Sequence, residues 1–240
     1  MAALQAKTVV VIGGTSGIGL AVAQAALAQG AKVIVASSKP SNVDAAVKQL
    51  GTGASGSALD VKNEEDVKRF FAGIGSFDHL AYTAGDWGAP PAGSASFAEM
   101  DLAAAAHAFT VRFWGALAAI KHGHGRITAG GSITLTDGLI AHRPQKGVAV
   151  MSAMLGAIEH LTRGLALELA PLRVNAVCPG LILTERNRRI PEEMLKRYTA
   201  SAPLPRGGEP AEIAEAYLYA MRAGYTTGQV LLVDGGRTIV

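Results

Sequence analysis

The chain has 240 residues, 22 Lys and Arg against 19 Asp and Glu, a net charge of +3, 49% hydrophobic residues and one cysteine. That balance excludes a disordered chain, a disulfide framework and a cysteine-rich zinc site, and the single thiol suits a reducing cytoplasm. The length fits one α/β domain, able to bury roughly 70% of the surface its unfolded form exposes.

The sequence pI is about 9.1, yet the excess charge is thinly spread. No basic run is interleaved with aromatics, which argues against a nucleic-acid surface. Residues 1–11 are apolar with only Lys7 and lead into a glycine-rich turn, as expected for a first strand and not for a signal peptide. Short β-branched runs at 8–12, 32–36, 79–83, 132–136, 173–177 and 230–233 read as strands. Helical stretches at 20–29, 42–50, 64–74, 98–122, 150–169 and 210–221 alternate with them. Continuously apolar strands are buried on both faces, so the expectation is a parallel, doubly wound sheet with helices on both sides, in one domain over 1–240. The apolar stretch 102–120 holds His107 and Arg112, and reads as a buried helix, since an Arg near the centre of a bilayer is costly. The polar segment 184–208 is a candidate lid over a substrate site at the carboxyl ends of the strands.

The clearest motif is Gly13-Gly14-Thr15-Ser16-Gly17-Ile18-Gly19, between a strand and a helix. Unshielded backbone amides at a helix start suit a pyrophosphate, as in a Rossmann-like fold. Here the chain resembles the short-chain dehydrogenase/reductase family, nearly end to end. The family's Gly-x-x-x-Gly-x-Gly turn is present, with Ile12 where a Thr is usual. Asp60-Val61 matches its adenine-binding pair, and Tyr82-Thr83-Ala84-Gly85 stands for its Asn-Asn-Ala-Gly. Further matches are Leu161-Thr162-Arg163, Leu165 to Leu169, Arg173 to Val177, Pro179-Gly180 and Val233-Asp234-Gly235-Gly236. Pro179, Gly180, Ile182 and Thr184 stand on the family's nicotinamide side, and Ala84 and Gly85 complete the implied cofactor set with Gly13, Thr15 to Gly19, Asp60 and Val61. The second strand ends in Ser37-Ser38-Lys39, with no acid to bind the 2′-hydroxyl of NAD, so NADP is the expected cofactor.

The resemblance fails at the family's catalytic residues. An ungapped alignment puts Met151 at the Tyr, Leu155 at the Lys, Gly138 at the Ser and Arg112 at the Asn. Neither Met nor Leu exchanges protons at neutral pH. A positioned acid is worth typically 10²–10⁴ in rate, about 3–5 kcal/mol. The remaining candidates are Arg112 and Arg143, which can stabilise an oxyanion or clamp a carboxylate, and His142, which titrates near neutrality. A structural ion pair is the competing role for Arg112, and solvation for His142. Asp137 should alternate away from Gly138 and act as a structural cap. Trp87, in the segment 86–91, suits either a pocket cap or packing. His122-Gly123-His124 offers too few ligands for a metal and reads as a loop, so no metal is expected. Cys178 reads as a small buried residue.

The leading expectation is an NADP(H)-dependent oxidoreductase with an atypical proton source, acting on a small carbonyl or carboxylate compound. Its rivals are a nucleotide sensor without turnover and a redox-neutral isomerase or lyase reusing the pocket. The resemblance also implies a cytoplasmic homodimer or homotetramer that pairs through the helices at 98–122 and 150–169, with no nucleic-acid or membrane partner.

Overall fold

The computed structural model describes residues 4–85 and 97–240. Seven parallel strands form one sheet in the order β3-β2-β1-β4-β5-β6-β7. They are β1 (Thr8–Ile12), β2 (Lys32–Ser37), β3 (Ala54–Ala58), β4 (Phe77–Tyr82), β5 (Ile127–Thr136), β6 (Arg173–Pro179) and β7 (Val230–Val233). The order reverses between β1 and β4, which leaves a crevice at their carboxyl ends.

Alternate side chains of each central strand feed two cores. Val10 and Ile12 pack with α3 (Glu64–Gly73), α5 (Gly115–Gly123) and α6 (Ala149–Glu168). Val9 and Val11 pack with α1 (Gly17–Ala28), α2 (Pro40–Leu50) and α8 (Pro210–Arg222). The doubly wound architecture follows from this two-sided burial, as the sequence predicts.

Three features depart from the sequence reading. β3, with the sequence ASGSA, was missed because Ala, Ser and Gly give neither an apolar alternation nor strand propensity. It is a largely exposed edge held by its ladder to β2. The single helix expected at 98–122 is instead divided into α4 (Leu102–Ala106), a π-helical turn (Thr110–Trp114) and α5. By length and composition the stretch Leu102–Arg126 suffices to cross a membrane. In the fold it packs Ala116, Ala119 and Ile120 into the core and buries Arg112. The polar segment contains a further amphipathic helix, α7 (Glu192–Thr199).

Candidate active site

A cleft of about 780 Å3 opens at the carboxyl ends of the strands. Its deepest turn is built by Gly13, whose φ is +86° and whose N–H donates to the Ala36 carbonyl at 2.8 Å. A Cβ on Gly13 would fall 2.5 Å from the backbone nitrogen of Ala84, so only glycine lets the β1 and β4 ends approach. Thr83 secures the same junction, with its Oγ1 donating to the Ile12 carbonyl at 3.0 Å. Helix α1 starts here. Its N-cap Ser16 makes no side-chain capping bond, and no acid stands in its first turn, which leaves a donor-rich end toward the cleft. Glycine-cradled backbone, free of side chains, fits a dinucleotide's pyrophosphate.

Every cofactor residue expected from the sequence lines this cleft except Lys39, which is exposed and caps the start of α2. Ser37 and Ser38 line it beside Lys62, a cation that the sequence reading passed over. The Lys62 amide donates to Asp60 Oδ1 at 3.0 Å, so the two residues form one small polar turn.

At the other end of the cleft, the π-helical turn presents Arg112. The side chain is buried, its Nη1 donates to the Thr136 carbonyl at 3.2 Å, and its guanidinium lies against Gly85, where any Cβ would collide with it. Tyr82 donates to the Val111 carbonyl and so anchors the turn, while burial pushes its own phenol pKa far up. Burial lowers the Arg112 pKa, opposed by Tyr217, Tyr82 and Asp137. Arg112 thus stands on the cleft wall.

Gly138, Leu155 and Met151 carry no exchangeable side-chain proton. Gly138 and Leu155 line the cleft in mutual contact, with a Cβ on Gly138 falling 3.1 Å from a Leu155 methyl. Met151 is half-buried against the core and is not among the lining residues. His142 and Arg143, expected in the pocket, are likewise absent from its lining. The short helical turn after β5 (Leu139–Ala141) directs His142 toward α6, where its Nε2 lies 2.6 Å from Glu159 Oε1. Trp87 lies outside the described residues. His122 lies in the last turn of α5 and His124 opens the 3-10 turn that follows (His124–Arg126), so the pair does not form an irregular loop. His122 faces Glu64 at 2.9 Å and His124 faces the Ile120 carbonyl at 3.0 Å.

Asp137 corrects the expectation of a cap. It sits on the α6 side of the sheet, 2% exposed, and lines the cleft. Neither of its carboxyl oxygens has a well-aligned donor. Its neighbours are Glu159 on α6 and Cys178 on β6, and a carboxylate oxygen of Asp137, a ring nitrogen of His142 and the Cys178 sulfur lie within 4.8 Å of one another. Burial first, then the Glu159 carboxyl, push the Asp137 pKa up to about 8, against the Gly138 amide and the Cys178 thiol, which lower it. Cys178 is fully buried, as expected, and burial with Asp137 beside it drives its thiol pKa far up. Sequence reasoning missed this group because Asp137, Glu159 and Cys178 meet only across three elements.

The segment 184–208 forms one wall. Thr184 to Asn187 line the cleft together with Ile190, and α7 adds Met194, Leu195 and Tyr198. Asn187 holds the wall to the sheet end, its Nδ2 donating to the Ile182 carbonyl at 2.8 Å. The Arg237 guanidinium lies over the Tyr198 ring, 5.6 Å from its centroid.

Comparison with known proteins agrees with this geometry. A family model described as enoyl-(acyl carrier protein) reductase matches residues 13–238. The short-chain dehydrogenase/reductase ucsE of Acremonium sp is 36% identical, over 98% of this chain and 97% of its own. A crystal structure of a small-chain dehydrogenase in complex with NADPH superposes with a TM-score of 0.83 at 38% identity, covering 98% of this chain and all of the other. The MalC reductase/Diels-Alderase of Malbranchea aurantiaca reaches 0.91 at 31% identity, over 100% of this chain and 99% of its own. With its glycine-cradled cleft, reversed strand order and matches over nearly its whole length, the chain belongs to the short-chain dehydrogenase/reductase family of oxidoreductases.

Proposed function

We propose that the protein is an NADP(H)-dependent oxidoreductase of small molecules whose proton chemistry does not use the family's Tyr and Lys. The observation that carries this reading is one continuous cleft, running from the α1 start to Arg112, in which non-protic Gly138 and Leu155 stand at the aligned positions. Gly13, Thr15, Ser16, Gly17, Ile18 and Gly19 hold the pyrophosphate, and Asp60 and Val61 the adenine. Ser37 and Ser38 hold the 2′-phosphate, since no acid there repels it, and Lys39 adds a positive charge from just outside the cleft lining. Ala84, Gly85, Pro179, Gly180, Ile182 and Thr184 flank the nicotinamide. The similar structure bound to NADPH supports the choice of nucleotide. When bound, the nucleotide supplies or accepts a hydride. Arg112 holds a fixed positive charge where negative charge develops on the substrate, and the wall from 184 to 198 excludes water. Trp114 on the π turn, 59% exposed, and Leu167 on α6, 85% exposed, suit the expected pairing of subunits through these elements.

Fluorescence titration with NADPH and NADH, followed by a panel of aldehydes, ketones, keto acids and enones, tests the reading. Preferential NADPH binding with substrate-dependent oxidation is the expected result. Tight binding with no oxidation across the panel would favour a nucleotide sensor. Product formation without net oxidation would favour a redox-neutral enzyme, the second reading, which the similar MalC reductase/Diels-Alderase makes worth testing. Failure to bind either nucleotide would overturn the proposal.

A further inference from the structure

The cluster behind Gly138 has the form of a proton path. Asp137 lines the cleft, Glu159 stands beside it, and His142 Nε2 lies 2.6 Å from Glu159 Oε1, an ion-pair contact that a small turn of the ring would align as a hydrogen bond. Exposure rises along this series: the Glu159 side chain is 11% exposed and the His142 side chain 31%, so the far end meets solvent. Two buried carboxyls facing each other are both acceptors unless one carries a proton. Both Asp137 oxygens and Glu159 Oε1 lack a well-aligned donor, as expected where one proton is shared between the two carboxyls. Glu159 has a cationic neighbour, with Arg163 Nη2 at 3.3 Å, which places the shared proton on Asp137. Other titratable or charged groups facing Asp137 are Cys178 from β6, Arg112 from the π turn and Tyr217 from α8.

We propose that Asp137 delivers the proton to the substrate and that Glu159 and His142 bring its replacement in from solvent. This rests on the hydride-transfer reading above. In the reductive direction a hydride from the dihydronicotinamide bonds to the electrophilic carbon, and the C=X π pair moves onto the heteroatom X. The Asp137 O–H bond breaks and its proton bonds to X, which leaves a carboxylate. Glu159 relays a proton from His142 to that carboxylate, and His142 takes one from water. The substrate is reduced by two electrons and the nucleotide is oxidised by two.

The test has a readout independent of turnover. Infrared titration of the full-length protein should show a buried protonated-carboxyl band at neutral pH that is lost as pH rises through about 8. Asp137→Asn should abolish the band, and Glu159→Gln should move its loss to lower pH. In assays with NADPH and the carbonyl panel, Asp137→Asn should lower turnover on the order of 10²–10⁴-fold with NADPH affinity held. His142→Gln should slow turnover in dilute buffer and be rescued by added imidazole, which a merely structural role would not produce. An ionised Asp137 at neutral pH overturns the proposal even if no panel member is a substrate. So does a folded Asp137→Asn variant of ordinary rate. If the wild type binds no nucleotide, the hydride-transfer reading fails and this proposal with it, whereas loss of the band alone leaves the oxidoreductase standing without this acid.

Discussion

Arg112 and Asp137 are charge-bearing groups in the wall of an otherwise mainly apolar end of the cleft, and they serve different ends. Arg112 keeps its charge despite burial because a guanidinium is too basic to be neutralised there. Arg112→Ala should lower turnover by roughly 10²–10³, the usual effect of removing an oxyanion-stabilising donor, with NADPH affinity unchanged. An unaltered kcat would refute the role. Asp137 binds its proton more tightly folded than unfolded, with a pKa raised from 3.8 to about 8. Its contribution to stability is therefore full below about pH 4 and is lost as pH rises through about 8. The difference in Tm between the wild type and Asp137→Asn should shift in the variant's favour across that window. Parallel Tm curves would show that Asp137 ionises normally. Arg112 was legible in the sequence as a cation within the apolar stretch 102–120. Asp137 was not, because it lies just past the end of β5, where strand alternation no longer sets direction, and it meets Glu159 and Cys178 only across three elements.

Among the elements, the turn between β1 and α1 is the most constrained. Gly13→Ala combines a positive φ with a methyl 2.5 Å from the Ala84 nitrogen, and backbone strain of this kind costs about 1–3 kcal/mol. The variant should melt lower and bind NADPH weakly. A wild-type Tm and affinity would contradict the packing described. The element map was readable wherever strands are apolar on both faces, since β1 and β7 fall where their sequences predict. It failed at β3, whose small residues let α2 approach: a Cβ on Gly56 would lie 2.5 Å from a Val43 methyl. Close packing selected those residues, and strand propensity did not. The π turn was equally hidden, because apolar residues continue on both sides of it.

At the scale of the whole molecule, the cleft draws its walls from β1, β2 and the segments after β3 through β6, so a bound dinucleotide spans the strand-order reversal. Ligand at about 100 times Kd adds about 2.7 kcal/mol to stability, and for a domain of this size that raises Tm by roughly 5–10 °C. Calorimetry with and without saturating NADPH reads this directly, and an unshifted transition would place the nucleotide elsewhere. The fold was the most legible level of all, because strand burial and helix alternation leave few topologies. The lone Cys178 gives the molecule a built-in clock. Fully enclosed beneath the catalytic end of the sheet, its sulfur meets an alkylating reagent only when that region comes apart, so the rate of labelling under native conditions counts openings, one molecule at a time.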